Sequence, residues 1–379
     1  MKILHIHSGN IYGGVETILM SLARNHRFAP AIEVAYGLCF EGKLSQGLIA
    51  EAIPVEILGR VRISKPWTIL SARRKLRALL RSKNFEIAIC HSVWSQLLFA
   101  PEIRRAGIQN GFWLHNAAKG RHWLERCARL FPPDFAICNS HATQSTLPKL
   151  YPQVPAETFY CPLSFPKEKL TPLMRQHLRK EMGAQSETAI IIQVSRLEKS
   201  KGHQLHLQAL SQLLQIPNWV AVFVGGPQSE AEGQQLTRLK SLAADLKLSD
   251  RVRFLGHRND VGNLLQASDI FCQPNENPEG FGIVFVEALM AGLPVVTTDL
   301  GAAPEIINSE VGILIPQEDA VAMRNNLSTR LRELIQNPEL RYRLGSNGPA
   351  KGESLCGAES QMLKFQNLLI NWKGKSTHE

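Results

Sequence analysis

Short apolar runs with strand character alternate with stretches of helical periodicity along nearly the whole chain, and this alternation restricts it to one fold class. Lys2 to His7 is a run of the first kind. Val15, Ile18, Leu19, Leu22 and Ala23 then fall at i, i+3, i+4, i+7 and i+8, an apolar stripe down one side of a helix. Further strands are expected near residues 31–38, 85–90, 111–115 and 135–139. A second series starts at 188–195 and continues near 219–224, 252–255, 270–273, 295–298 and 312–315. Strands alternating with helices build doubly wound parallel sheets, so two series predict two Rossmann-like α/β domains, expected to face each other across a cleft.

A length of 379 residues suits such a pair. Between the two series, residues 160–172 carry Pro162, Pro166 and Pro172 with little periodicity, and this stretch reads as the linker. The expected division is a first Rossmann-like domain at 1–165, a second at 166–355, and a C-terminal stretch at 356–379. Met362, Phe365, Leu368 and Leu369 share one side of a helix in that last stretch, which is expected to cross back and brace the first domain.

Composition narrows the class. Hydrophobic content of 44% and charged content of 20% fit a globular protein in water. No run approaches the roughly 18 apolar residues that span a bilayer. His5 and His7 interrupt the N-terminal run too early for a signal-peptide core. The seven cysteines are scattered without a CxxC pair, as expected of free thiols in a reducing cytoplasm. Part of the net charge of +10 is concentrated in residues 73–83, a basic helix with Leu76, Leu79 and Leu80 on one face. Such a helix either touches the anionic inner face of a membrane or shows solvent the charged side of a packed element. No recognition motif accompanies the charge, so nucleic acid is not an expected partner.

The candidate chemistry gathers around two glutamates. Glu279 and Glu287 bracket Gly280-Phe281-Gly282-Ile283, between the strand-like runs 268–274 and 292–298. Glycine is a poor helix former, so a helix should begin near Gly282 or Ile283, with Glu279 in the preceding loop and Glu287 in the second turn. The free amides of a helix N-terminus suit a phosphate. Carboxylates beside it suit sugar hydroxyls, and a polyhydroxylated ligand bearing a phosphate satisfies both. The plainer alternative makes Glu287 a surface residue and Glu279 an ordinary loop acid. Against it stand the apolar neighbours Phe285, Val286, Ala288 and Leu289, among which an unpaired charge is costly.

Other strand ends add to the picture. Arg196 closes the first strand of the second series and Lys201 precedes the next helix, two cations placed to hold a diphosphate. Gly13-Gly14 precedes the first helix, where backbone can approach a phosphate or sugar or simply turn. His115 ends the run Phe112-Trp113-Leu114-His115, as a ligand contact or a structural histidine. His5 and His7 share a strand face, but no third metal ligand presents itself, and the chain has no Asp-x-Asp pair to anchor a divalent metal.

With these residues in place, the chain resembles the retaining glycosyltransferases of the GT-B fold, specifically the family 4 group. The resemblance rests most on the E-x7-E segment Glu279 to Glu287, continuing through Ala291-Gly292-Leu293-Pro294. Val194-Ser195-Arg196-Leu197 with Lys201-Gly202, Phe254-Leu255-Gly256-His257, and Gly13-Gly14-Val15-Glu16 support it. What it implies is a metal- and cofactor-independent hexosyltransferase acting from a nucleotide diphosphate-sugar onto a glycan or lipid-linked acceptor. Glu287 is then the ribose-binding residue, and Glu279 contacts the donor sugar beside Gly280, Phe281, Gly282 and Ile283. Arg196 and Lys201 hold the diphosphate, while His257, Gly14 and the domain-one histidine His115 complete the donor contacts. The chain departs from the family at Cys161 to Pro166, at Asn275 to Pro278 and at Asn116. A nucleotide-sugar epimerase of the same fold, and a non-catalytic nucleotide-sugar-binding scaffold, stand as alternatives.

Overall fold

A computed structural model describes residues 1–9, 13–166 and 168–375. Asn10, Ile11 and Tyr12 of the loop before Gly13 therefore lie outside the described residues. The chain divides into two compact units, one made of Met1–Ser164 with the chain from Cys356 onward, the other of Phe165–Leu355.

The first unit carries β1 (Lys2–His7), β2 (Glu33–Leu38), β3 (Val55–Ile57), β4 (Ile87–His91), β5 (Gln109–Leu114), β6 (Phe135–Cys138) and β7 (Ala156–Thr158). They form one parallel sheet in the order β3-β2-β1-β4-β5-β6-β7. The second unit carries β8 (Ala189–Val194), β9 (Trp219–Val224), β10 (Val252–Gly256), β11 (Ile270–Gln273), β12 (Val295–Thr298) and β13 (Gly312–Ile315). Their order is β10-β9-β8-β11-β12-β13, again parallel throughout. Both units are doubly wound, as the alternation predicts. The strands missing from the sequence reading are β3 and β7, three residues each at the sheet edges, too short and too exposed to show a period.

The strand order fixes where a ligand can sit. In a doubly wound sheet the crevice opens outside the carboxyl ends of the strands where the order reverses. That point falls between β1 and β4 in the first unit and between β8 and β11 in the second. The residues after β8 and β11 are those around Arg196, Lys201 and Glu279.

The helix Ala358–Lys375 packs on the first unit. Phe365 lies 5.1 Å from Phe159 and 5.8 Å from Trp113 between ring centres, and Trp372 stacks on Phe135 at 4.0 Å. The basic helix runs from Pro66 to Ser82, and its Leu76, Leu79 and Leu80 are buried in the unit's own core with Leu58, Phe85 and Phe99. The leucine stripe is thus spent inside the fold, while Trp67 and Leu70 in the first turns of the helix are exposed. The positive charge of the chain belongs to this unit. Lys and Arg number 23 there against 12 Asp and Glu, and 20 against 21 in the second.

Candidate functional site

In the second unit the site is assembled by close backbone approach. Gly202, with φ +68°, lets the chain turn after Lys199–Lys201 and enter the helix His203–Ser211. A Cβ at this glycine would lie 1.7 Å from the Pro274 carbonyl oxygen, so only glycine permits the contact. Lys201 is thereby carried to the mouth of β11. Its Nζ donates to Glu279 Oε2 at 2.5 Å, and Asn275 Nδ2 donates to the same oxygen at 3.2 Å. Asn275 is itself fixed. Its Oδ1 accepts from Gln273 Nε2 at 3.0 Å, and its carbonyl accepts from Thr298 Oγ1 at 2.6 Å. Both contacts on Glu279 fall on one oxygen, which leaves Oε1 turned to other uses.

Glu287 is in a different position. Gly282, at φ +93°, caps the helix Ile283–Met290, which begins where the glycine pattern predicts. Phe285, Val286, Ala288 and Leu289 turn into the core with no exposed surface, while Glu287 is half-buried on the other side. Burial pushes its carboxyl up from 4.5 to about 7. No hydrogen bond or ion pair to the Glu287 side chain is found among the described residues. Gly280, Phe281 and Gly282 are buried, and Ile283 is half-buried at the head of the helix.

Arg196 does not stand free for an anion. Its guanidinium pairs with Glu198 at 2.7 Å and with the buried Glu232 at 2.6 Å. Glu232 Oε2 also accepts from the Gln228 amide at 2.7 Å, so the carboxylate is anchored to the head of the helix Glu230–Asp245. Sequence reasoning missed Glu232 and Asn275. Ser229-x-x-Glu232 carries a capping-box pattern that marks the helix start, but nothing local marks Arg196 as its partner. His257 is exposed just beyond the end of β10.

The first unit holds the two remaining candidates. Gly14 opens the helix Gly14–Arg24 and is exposed, with no described residue within 4 Å of where a Cβ would lie. Two residues on, Glu16 is buried and bonds His7 Nε2 at 2.7 Å and the Gly13 amide at 2.8 Å. Burial works to raise the Glu16 carboxyl, but these hydrogen bonds and the nearby His7 outweigh it and hold the group below its usual range. His115 is buried, and both ring nitrogens are engaged, Nε2 with His91 at 2.9 Å and Nδ1 with Asn139 at 3.3 Å. His5 bonds His91 at 2.8 Å while His7 bonds Glu16, so the two histidines of one strand face serve different partners.

Residues 174–351 match the family model described as glycosyl transferases group 1. Over 177 residues the chain is 34% identical to the D-inositol 3-phosphate glycosyltransferase of Corynebacterium jeikeium, covering 45% of this chain and 41% of that one. It is 31% identical over 208 residues to the GDP-mannose-dependent monoacylated alpha-(1-6)-phosphatidylinositol monomannoside mannosyltransferase of Corynebacterium glutamicum, covering 52% and 51%. The matched segment thus spans about half the length of these curated relatives, or less. Among solved structures, Anabaena HepE in complex with UDP and glucose aligns with a TM-score of 0.84 at 23% identity, over 98% of this chain and 100% of that chain. WaaG, a glycosyltransferase involved in lipopolysaccharide biosynthesis, aligns with a TM-score of 0.72 at 18% identity, over 97% and 99%. These likenesses identify the fold of the two doubly wound units as GT-B.

Proposed function

We propose that this chain is a retaining, metal-independent glycosyltransferase of the family 4 group. It moves a hexosyl-type sugar from a nucleotide diphosphate-sugar to a hydroxyl of a glycan or lipid-linked acceptor. The observation that carries the reading is Glu287, a half-buried carboxylate without a partner among the described residues, one helix turn from a buried glycine loop. An uncompensated carboxylate costs stability, and the ribose hydroxyls of a nucleotide would supply its missing donors.

The other residues take roles that fit their geometry. Lys201 neutralises the diphosphate as charge develops on the leaving group, and Arg196 joins it by exchanging a carboxylate partner, Glu198 or Glu232, for the phosphate. Glu279, held by Lys201 and Asn275 through Oε2, offers Oε1 to a donor-sugar hydroxyl. The Gly280 to Ile283 turn and His257 line the same end of the second sheet, and in the first unit Gly14 follows β1 and His115 follows β5 as further candidate donor contacts. In a front-face substitution the departing phosphate oxygen takes the proton of the acceptor hydroxyl, so no general base is needed from the protein. Names among the relatives mention GDP-mannose, and the HepE structures hold UDP and glucose or UDP-glucose. A thermal-shift panel of UDP-, GDP- and ADP-sugars is therefore the direct test. At a hundredfold excess over Kd, one class should stabilise the chain by about 2.7 kcal/mol. Silence across the panel would refute nucleotide-sugar binding. A released epimerised sugar nucleotide would point to the epimerase, and binding without turnover across many acceptors to the scaffold.

Surface chemistry supports a cytoplasmic enzyme that meets the inner face of a membrane through its first unit. No helix among the described residues is long and apolar enough to cross a bilayer. Ile63, Pro66, Leu70, Trp94, Leu97 and Trp123 line a groove of about 390 Å³, built from the segments that follow β3, β4 and β5. Trp67, Leu70, Ile63 and Trp123 are 63%, 54%, 53% and 49% exposed. Around them Arg60, Arg62, Lys65, Arg74, Lys119 and Arg121 are exposed, and residues 57–85 contain no acid. Apolar side chains ringed by cations complement an anionic bilayer. The contact lies at the head of the basic helix and at Trp123, because the leucines of residues 76–80 are buried. Sedimentation with vesicles of equal parts phosphatidylcholine and phosphatidylglycerol should pellet the chain, and pure phosphatidylcholine should not. Trp67→Ser combined with Trp123→Ser should weaken binding at least about tenfold, given the apolar area withdrawn. Equal binding to both vesicle types would overturn the assignment.

A further inference from the structure

A continuous line of buried polar rings crosses three neighbouring strands of the first unit, and its polarity can be read from one end. Trp113 Nε1 donates to Asn139 Oδ1 at 2.7 Å. An indole N–H can only donate, so the oxygen of Asn139 faces Trp113 and its amide nitrogen faces His115. That nitrogen donates to the His115 carbonyl at 3.1 Å and to His115 Nδ1 at 3.3 Å. His115 Nε2 meets His91 Nδ1 at 2.9 Å, and His91 Nε2 meets His5 Nδ1 at 2.8 Å. His5 Nε2 ends the line without a partner among the described residues.

The rings are locked by stacking as well as by hydrogen bonds. His115 lies parallel to Trp113 within 3°, with ring centres 5.6 Å apart, and His91 stacks on both. At the far end His5 stacks on Tyr36 at 5.0 Å. Burial drives all three imidazoles far below their usual range, His5 and His115 to about 3, so each is neutral and carries one proton. A neutral imidazole has one donor nitrogen and one acceptor nitrogen. Since His115 Nδ1 receives the amide hydrogen of Asn139, the proton of His115 is on Nε2. His91 Nδ1 must then accept, which puts its proton on Nε2, and the same step fixes His5.

We propose that Trp113, Asn139 and His91 are positioning residues that hold His115 as its Nε2–H tautomer, so that Nδ1 is an acceptor whose long contact with Asn139 a substrate hydroxyl can replace. The functional half rests on the reading of His115 as a donor-sugar contact. The Asn139 to Nδ1 contact is the longest in the line, so of the two His115 ring nitrogens Nδ1 is the less firmly held by the protein.

The test is nitrogen-15 NMR of the histidine rings in the full-length chain, with no sugar nucleotide added, alongside transfer kinetics. All three histidines should show a protonated Nε2 and a bare Nδ1. Asn139→Asp replaces the donor with an acceptor, and the line should reverse to Nδ1–H at His115, His91 and His5. The same variant should lower kcat/KM by about tenfold, mostly through KM for the donor, because the acceptor nitrogen is lost. Trp113→Phe frees the amide to turn over and should give mixed tautomers, which keeps the question open to measurement should Asn139→Asp not fold. A proton on His115 Nδ1 in the unaltered chain, or tautomers indifferent to Asn139→Asp, would overturn the proposed polarity. Reversed tautomers with unchanged transfer would overturn the positioning role. If His115→Ala also transferred normally, the donor-contact reading would fail and the polarity would stand.

Discussion

Glu287→Gln is expected to abolish most transfer while making the chain more stable at neutral and alkaline pH. Both effects come from one carboxylate. Its pKa is raised by burial from 4.5 to about 7, and no group among the described residues compensates the charge. A folded-state pKa above the unfolded value means that the folded chain binds more protons between those two values. Stability therefore falls as pH rises from about 4.5 to about 7, and the loss is complete above that window. A shift of this size corresponds to at most about 3 kcal/mol. Glu287 is partly open to water, so screening should reduce the measured effect to about 1 kcal/mol. Glutamine keeps the shape and one acceptor but not the charge, and it should remove the pH-dependent loss. Charge-assisted hydrogen bonds to two ribose hydroxyls would go with it, and kcat/KM should fall about a hundredfold or more. Unfolding midpoints across the pH range, with kinetics on the best donor from the thermal-shift panel, check both halves. A variant that transfers normally would remove Glu287 from the site.

Lys201→Ala should also lose most transfer, with the opposite effect on stability. Lys201 and Glu279 have side chains only 20% exposed, and their contact of 2.5 Å is the only ion pair found for either among the described residues. Removing the cation leaves Glu279 with Asn275 alone, and a half-satisfied carboxylate in that setting should cost about 1–3 kcal/mol. Transfer should drop by about a thousandfold, since a cation facing the leaving diphosphate acts mainly in the transition state. Adding Glu279→Gln removes the stranded charge, so the double variant should recover most of the stability and none of the activity. Recovery of both would mean that Lys201 serves the fold only. The two glutamates thus separate by experiment, one tolerated at a cost because a ligand completes it, the other already neutralised by the protein.

The pattern of the sequence carries much of this fold because its signals are local. Four strands of the second unit run over the residues that their apolar pattern marks, Trp219–Val224, Ile270–Gln273, Val295–Thr298 and Gly312–Ile315. The turn at Gly282 and the helix that follows begin where glycine's poor helix propensity places them. The strands of three residues escaped notice because a period cannot show over so short a length. The leucine stripe of residues 76–80 was visible, but what covers it was not, since an apolar face looks the same to a membrane and to a core.

The sequence by itself determined the alternation, the strand ends and the glycine turns, and hence that Arg196, Lys201, Glu279 and His115 would stand at the carboxyl ends of parallel strands. Only the tertiary structure decided the partner of each. Lys201 meets Glu279 across 78 positions, Arg196 meets Glu232 across 36, and His5 meets His91 across 86. The physical reason is that periodicity records how a residue faces its own element. A hydrogen bond or ion pair depends on which strands are neighbours, and strand order is set by the packing of the whole sheet.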